Sequence, residues 1–401
     1  MPTSLVEKLF LNWIPLILRL IRPPATDSMH SPMKDYDVGI IGGGLLGSAF
    51  AWGLADRGLH TVAFDEGDNA IRTARGNFGL VWVQGKGLGM SEYARWTLNA
   101  SREWVEFAER LKQETGIDTR YHRCGGFVIC LDDEEFDTNL QVLETLRAES
   151  GEQGYDYEVV NNAELKKRIP LIGKVSGATY CPHDGHCDPL RLLRALHTGF
   201  LGKGGEYRPR NRITVINRLS GGGFQLCTAD GEAVAACEKL IVAAGHGSKQ
   251  LASQVGLEVP IFPDQGQVLV TEKVELALNY PTNYVRQTDD GSFLLGPSSK
   301  DTGYDLTTEP GTLRDISLRC VKAFPALKSL RVQRVWAALR VMTPDGFPVY
   351  QQSDSHPGAF SFACHSGVTL AASHALQVSQ WIEAGSIPKQ FDVFHPRRFH
   401  V

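Results

Sequence analysis

Three features of the chain predict an α/β fold. First, a short apolar strand, 38–41, runs into Gly42-Gly43-Gly44-Leu45-Leu46-Gly47 and an apolar helix ending near Gly58, and a second strand, 61–64, delivers Asp65. Second, a later apolar strand, 239–243, ends in Ala244-Gly245-His246-Gly247, so a second strand feeds small residues into a helix. Third, from Pro260 onward the pattern changes to short alternating strands separated by turn residues such as Asp289-Asp290-Gly291. Together they predict a Rossmann-type nucleotide-binding domain interleaved in sequence with a mainly antiparallel β-sheet domain.

The first unit is justified by its spacing. Gly42 permits the tight turn, Gly44 lets the backbone approach a pyrophosphate, and Gly47 lets the helix lie close to the strand, which sets phosphates on the positive helix N-terminus. Asp65 stands where a carboxylate accepts hydrogen bonds from ribose hydroxyls, and a negative charge there argues against a 2′-phosphate. Beyond it, 91–115 reads as an amphipathic helix that starts at Ser91 and stops at Gly116, and 133–150 reads likewise with a stop at Gly151. A strand, 126–131, lies between them. Asp188-Pro189 opens a helix through Thr198, with Asp as N-cap and Pro in the first turn. Strands follow at 212–217, 224–228 and 239–243. In the antiparallel region strands are predicted at 267–271, 283–287 and 292–295, then a helix, 313–324, and a strand, 331–339. The last strand, 359–364, delivers His365-Ser366-Gly367-Val368-Thr369 into a final helix, 370–382.

The resulting division assigns 34–120, 176–258 and 340–390 to the nucleotide-binding domain and 121–175 and 259–339 to the substrate domain. Residues 1–33 form an N-terminal extension whose membership of the folded core the sequence leaves open. Its apolar run, 9–18, is too short to span a bilayer and is broken by Pro15. An interfacial anchor, a docking segment, or sequence upstream of a start at Met29 or Met33 are the three readings, the last being the most economical. The chain has 401 residues, 42% hydrophobic and 21% charged, with a net charge of −4, so nothing electrostatic points to nucleic acid. The eight cysteines include no CxxC pair. The turn from Cys181 to Cys187 holds two thiols and two imidazoles, but zinc sites draw ligands from two arms, and no metal is expected.

The turn at 42–47, together with Thr73-Ala74-Arg75-Gly76-Asn77-Phe78-Gly79, Asp184-Gly185-His186-Cys187-Asp188-Pro189, Ala243-Ala244-Gly245, Trp336-Ala337-Ala338-Leu339-Arg340 and His365-Ser366-Gly367-Val368-Thr369-Leu370, resembles the D-amino-acid-oxidase-like flavoproteins, the group that includes glycine oxidase and sarcosine oxidase. The resemblance covers nearly all of 34–390. The phrases Arg75–Trp82 and His365–Leu370 are more similar to one branch, the FAD subunits of opine oxidases, D-hydroxyproline dehydrogenases and hydrogen cyanide synthase. The βαβ unit alone would favour NAD; the resemblance implies FAD. It implies that Gly42, Gly44, Leu45, Leu46 and Gly47, with Asp65 and Glu66, hold the adenosine half. Thr73, Ala74, Arg75, Gly76, Asn77, Phe78 and Gly79 would meet the pyrophosphate, Arg75 by its charge. Ile213, Ala244 and Gly245 complete the nucleotide contacts, while Gly367, Val368 and Thr369 face the flavin pyrimidine.

The activity implied is oxidation of a C–N bond beside a carboxylate: hydride passes to flavin N5, and the imine hydrolyses to a keto acid and an amine. Arg340 is implied as the clamp on the substrate carboxylate, its alternative being an ion pair with Asp345. His365 stands where glycine-oxidase-like relatives carry a second arginine, which favours a larger or differently charged substrate such as an opine (octopine, nopaline) or hydroxyproline over glycine. Ser366 beside it joins the reacting group, and His246 is a weaker candidate. The branch implies partners: a second flavin- or nucleotide-binding subunit and a small iron–sulfur subunit, in a cytoplasmic assembly or one peripheral to the inner membrane. A stand-alone oxidase producing hydrogen peroxide and a non-catalytic assembly subunit are the alternatives.

Overall fold

The computed structural model describes residues 35–67, 73, 76–150 and 155–400; the N-terminal extension, Ala74, Arg75 and the expected helix stop at Gly151 lie outside the described residues. The βαβ unit forms as β1 (Asp35–Ile41), α1 (Leu45–Asp56) and β2 (Thr61–Phe64). There follow β3 (Leu80–Val81), α2 (Ser91–Thr115), β4 (Gly126–Cys130), α3 (Asp133–Ser150), β5 (Glu158–Asn161), α4 (Asn162–Arg168), β6 (Gly177–Cys181) and β7 (Gly185–His186). The chain returns through α5 (Pro189–Gly202), β8 (Glu206–Arg208), β9 (Val215–Arg218), β10 (Phe224–Cys227), β11 (Ala233–Val242) and α6 (Ser248–Ser253). It continues as β12 (Phe262–Lys273), β13 (Val285–Gln287), β14 (Ser292–Leu295), α7 (Pro310–Ala323), β15 (Val332–Met342), β16 (Val349–Gln352) and β17 (Ala359–Ala363). A C-terminal helix, 371–384, contains a π-helical turn at His374–Val378.

The fold is the mixed α/β arrangement that the sequence predicts. One sheet has the order β16-β17-β11-β1-β2-β8, with β10 and β9 continuing from β11. Here β11 lies parallel between β1 and β17, with Ile41 opposite Val242 and Leu240 opposite Ala359. Strands from the start, middle and end of the chain therefore release their glycine turns, at Gly42, Gly245 and Gly367, along one edge. The carboxyl edge of such a sheet is where ligands bind. A second sheet, β13-β14-β12-β15, is antiparallel throughout, and β4-β6-β5 form a third.

Packing explains why these elements sit so close. A Cβ on Gly47 would lie 1.8 Å from the Gly42 carbonyl oxygen, so only glycine lets α1 start where it does. Gly53 on the same helix would meet the Ala375 carbonyl at 2.0 Å, which seats α1 directly on the π turn. Phe50, Trp52, Trp104, Phe107, Phe360 and Phe362 fill the core between sheet and helices. A separate core around Phe127, Phe293 and Phe324 joins the antiparallel sheets to α7.

Boundaries differ from the sequence reading in instructive places. Helix α5 runs past Thr198 to Gly202, because Gly199 lies under Trp52, where a Cβ would come within 2.6 Å. Tertiary packing there outweighs the poor helix propensity of glycine. β11 begins at Ala233 and not at Lys239, since its first half pairs antiparallel with β10. Other expected limits hold: α2 ends at Gly116 in the left-handed conformation, φ 70°, and Asp188 caps α5 by accepting from the N–H groups of Leu190 and Arg191.

Candidate active site

A cavity of about 880 Å³ opens along the carboxyl edge of the large sheet and continues between it and β12 and β15. At one end Gly42, at φ 113°, turns the chain, and its N–H donates to the Phe64 carbonyl at 2.8 Å. Gly44 is the N-cap of α1, with open space where a Cβ would stand and no acidic residue in the first turn. The first-turn N–H groups have no partners inside the helix and carry its positive pole, so this end suits a phosphate. Asp65 is buried and rigid, Oδ2 accepting from the Gly43 N–H at 2.9 Å and Oδ1 from the Gly67 N–H at 2.8 Å. A carboxylate oxygen can accept more than one hydrogen bond, the chemistry a ribose hydroxyl needs. Glu66, half-exposed at the rim, pairs with Arg212 at 3.3 Å, and Ile213, Ala244 and Gly245 form the opposite wall. The residues present therefore fit an adenine dinucleotide.

The middle is lined by Thr73, Gly76, Asn77 and Phe78. Asn77 closes a turn by accepting from the Gly79 N–H at 2.8 Å, and Gly76 lies against Ala338, where a Cβ would come within 2.1 Å. Buried Arg286 donates to the Phe78 carbonyl at 2.7 Å and fixes this loop from behind. Arg286 also faces Nδ1 of His186 at 3.3 Å, and burial together with that cation keeps the imidazole neutral, pushed down to about 3. The 181–187 turn is structural: Asp184, fully buried, accepts from the N–H groups of Val83 (2.5 Å) and Gln84 (3.3 Å) and from Gln84 Nε2 (2.7 Å). Among the described residues no group of three His, Cys, Asp or Glu side chains is arranged for a metal.

At the far end Arg340, on β15, faces Asp264, its cross-strand neighbour on β12. The Arg340 Nη1 donates to Asp264 Oδ2 at 2.5 Å and Nη2 to the Ser298 carbonyl at 2.7 Å, across Gly266, which leaves the guanidinium room. The expected alternative pairing with Asp345 is not made. Asp345 is held instead by Arg398, whose Nε and Nη2 donate at 2.7 and 3.0 Å. His365 lines the same cavity, its ring neutral because desolvation, then the charges of Lys86 and Arg340, push it down to about 4. Ser366 is buried and accepts from both Tyr93 Oη and Lys86 Nζ at 2.6 Å. Thr369 Oγ1 accepts from the Trp82 N–H at 3.1 Å, and Trp104 Nε1 donates to the carbonyls of Val368 and Thr369 at 3.0 Å. Gly367 has open space at its missing Cβ. His246 borders the cavity edge-on to Tyr304.

The described candidates from both chain ends thus line one cavity, apart from Gly47 and Gly79, which act on it through backbone geometry. Sequence reasoning missed Lys86, Asp264 and Ser298. A lysine between two glycines directly after an apolar strand, Gly85-Lys86-Gly87, was a usable signal; Asp264 had none, since its role depends on strand register.

The glycine turn, the acidic residue just after β2 and the parallel order of β1, β11 and β17 define a dinucleotide-binding protein. The chain belongs to the FAD dependent oxidoreductase family, whose model matches residues 37–381. It is 41% identical to an opine oxidase subunit of Agrobacterium tumefaciens, over 92% of this chain and 99% of that protein. It is 25% identical to a hydrogen cyanide synthase subunit of Pseudomonas protegens, covering 92% and 97%. Its fold is similar to the crystal structure of glycine oxidase from Geobacillus kaustophilus, with a TM-score of 0.83 at 23% identity, covering 90% and 98%. Among the described residues no helix is long and apolar enough to cross a membrane.

Proposed function

We propose that this chain is the FAD-bearing catalytic subunit of a multi-subunit enzyme that oxidises the C–N bond of an opine, giving an imine that water hydrolyses to a keto acid and an amine. The observation that carries it is the continuous cavity from the Gly42–Gly47 turn to Arg340 and His365, both facing one space. The 41% identity to an opine oxidase subunit supports the substrate class and the subunit character. When bound, FAD supplies the acceptor for the hydride lost from the carbon beside nitrogen. Arg340 orients a substrate carboxylate, with Asp264 fixing the plane of its fork. Neutral His365 accepts a hydrogen bond from the substrate amine without adding charge. The turn at Gly367-Val368-Thr369, rigid through Trp104 and Trp82, presents N–H groups to the flavin pyrimidine, and Gly42, Gly44, Asp65 and the Thr73–Gly79 loop grip the rest.

In this reading the large sheet is the FAD-binding domain, 34–120, 176–258 and 340–390, and 121–175 with 259–339 is the substrate domain. A second nucleotide- or flavin-binding subunit and an iron–sulfur subunit receive the electrons, in the cytoplasm. The test is anaerobic bleaching of the flavin absorbance with N-carboxyalkyl amino acids, proline derivatives, glycine and sarcosine. Fastest bleaching by an opine is expected. Bleaching by glycine or sarcosine, with hydrogen peroxide formed by the isolated chain, would replace this reading with a stand-alone oxidase.

A further inference from the structure

The geometry points to Lys86 as a second carboxylate anchor, which makes the site selective for substrates carrying one carboxylate on each side of the amine nitrogen, the first held at Arg340 and the second at Lys86. This inference rests on the opine reading and specifies its substrate. Lys86 projects from the Gly85-Lys86-Gly87 turn, whose glycines adopt φ 78° and 91°, into the cavity wall beside Ser366 and Thr369. Its Nζ donates to Ser366 Oγ at 2.6 Å and to Thr369 Oγ1 at 3.2 Å. Both acceptors are themselves fixed, Ser366 by Tyr93 and Thr369 by the Trp82 N–H. An ammonium has three donors, so one remains for a ligand.

Charge distinguishes the two cations of this end. Arg340 is answered by Asp264, whereas among the described residues no carboxylate lies within 4 Å of Lys86. The carboxylate that acts on Lys86 through its charge, Asp184, spends its oxygens on Val83 and Gln84. A secluded ammonium without a counter-ion is costly, and an incoming carboxylate relieves that cost. The groups around Lys86 set the pH range of the anchor. Burial pulls Lys86 down to about 8, opposed by Cys364 and Asp184. Cys364, raised to about 12, Tyr93, raised beyond the usual phenol range, and His365, neutral above about 4, do not change charge between pH 7 and 9, and Asp184, near 7, only becomes more anionic. The anchor is therefore charged at pH 7 and lost above pH 8.

The experiment uses the flavin-loaded full chain, with its subunits where they copurify, and two probes without an amine: thiodiacetate, with two carboxylates, and methylthioacetate, with one. Dissociation constants come from calorimetry and flavin difference spectra. Lys86→Met is expected to weaken thiodiacetate ten- to a hundredfold and methylthioacetate less than twofold, while Lys86→Arg keeps most of the affinity. In the unmodified protein the preference for thiodiacetate falls about fivefold between pH 8 and 9. An unchanged preference in Lys86→Met, or a shifted flavin midpoint potential with both constants unchanged, overturns the proposal by assigning the charge elsewhere. If Lys86→Met does not hold flavin, a preference that stays constant from pH 7 to 9 in the unmodified protein overturns it equally. Opines that fail to bleach the flavin while the thiodiacetate preference survives would sink the opine assignment alone.

Discussion

The two ends of the cavity are built by different means. At the Gly42 end the working parts are mainly backbone: the turn at Gly42, the open N-cap at Gly44 and the N–H groups of α1, with buried Asp65 tied to backbone N–H groups and Glu66 paired with Arg212 at the rim. At the Arg340 end they are side chains from four separated segments, Lys86, Asp264, Arg340 and His365, and the backbone mainly holds them. At the backbone end the preference for a phosphate comes from the fixed N–H groups and positive pole of a helix. At the side-chain end selectivity can change by single substitutions while the cofactor stays in place.

The largest expected effect tests the backbone end. Gly47→Val drives a side chain into the Gly42 carbonyl, so stability should fall by about 3 kcal/mol or more, with loss of flavin absorbance. Gly44→Ala meets open space, and its melting temperature should stay within a degree or two while FAD affinity drops; equal thermal damage in both would break the division between folding and cofactor roles. At the other end Arg340→Ala should cut kcat/KM by about a hundredfold, some 2.7 kcal/mol, with flavin retained. Near-normal turnover would remove Arg340 from the substrate.

Smaller effects probe the supports. Arg286→Met should cost about 2 kcal/mol in urea unfolding, because the Phe78 carbonyl loses its charged donor. Desolvation raises Asp184 to about 7, above its ordinary value of 3.8, so between those pH values the folded protein holds a proton that the unfolded chain has released. Stability should therefore decline as pH rises from about 4 to 7, by at most about 1.4 kcal/mol per pH unit, and level off above; a flat profile over that window would contradict the assignment. The mildest change is Asp264→Asn, which frees the Arg340 fork. Carboxylate probes should bind several-fold tighter, and weaker binding would mean that Asp264 orients the fork more than it neutralises it.

The same contrast explains what the sequence disclosed. Gly42, Gly44, Gly47 and Asp65 act through local spacing, which is written in consecutive residues, and the stop at Gly116 and the cap at Asp188 were legible for the same reason. Arg340 and His365 were visible only through resemblance. Asp264 faces Arg340 because β12 and β15 pair in one register, and a shift of one residue would separate them. Lys86 joins Ser366 across 280 positions, a meeting set by the placement of β17 beside β11. The π turn at His374–Val378 had no local mark either, since its partner is Gly53 on a distant helix.

The interposition of β11 between the first and last strands of its sheet has a consequence for biosynthesis. A ribosome must pass Thr369 before the pocket can close, so a nascent chain displays a finished phosphate turn long before it can retain its prosthetic group. Chains terminated before Thr369 should therefore be colourless and open to proteolysis.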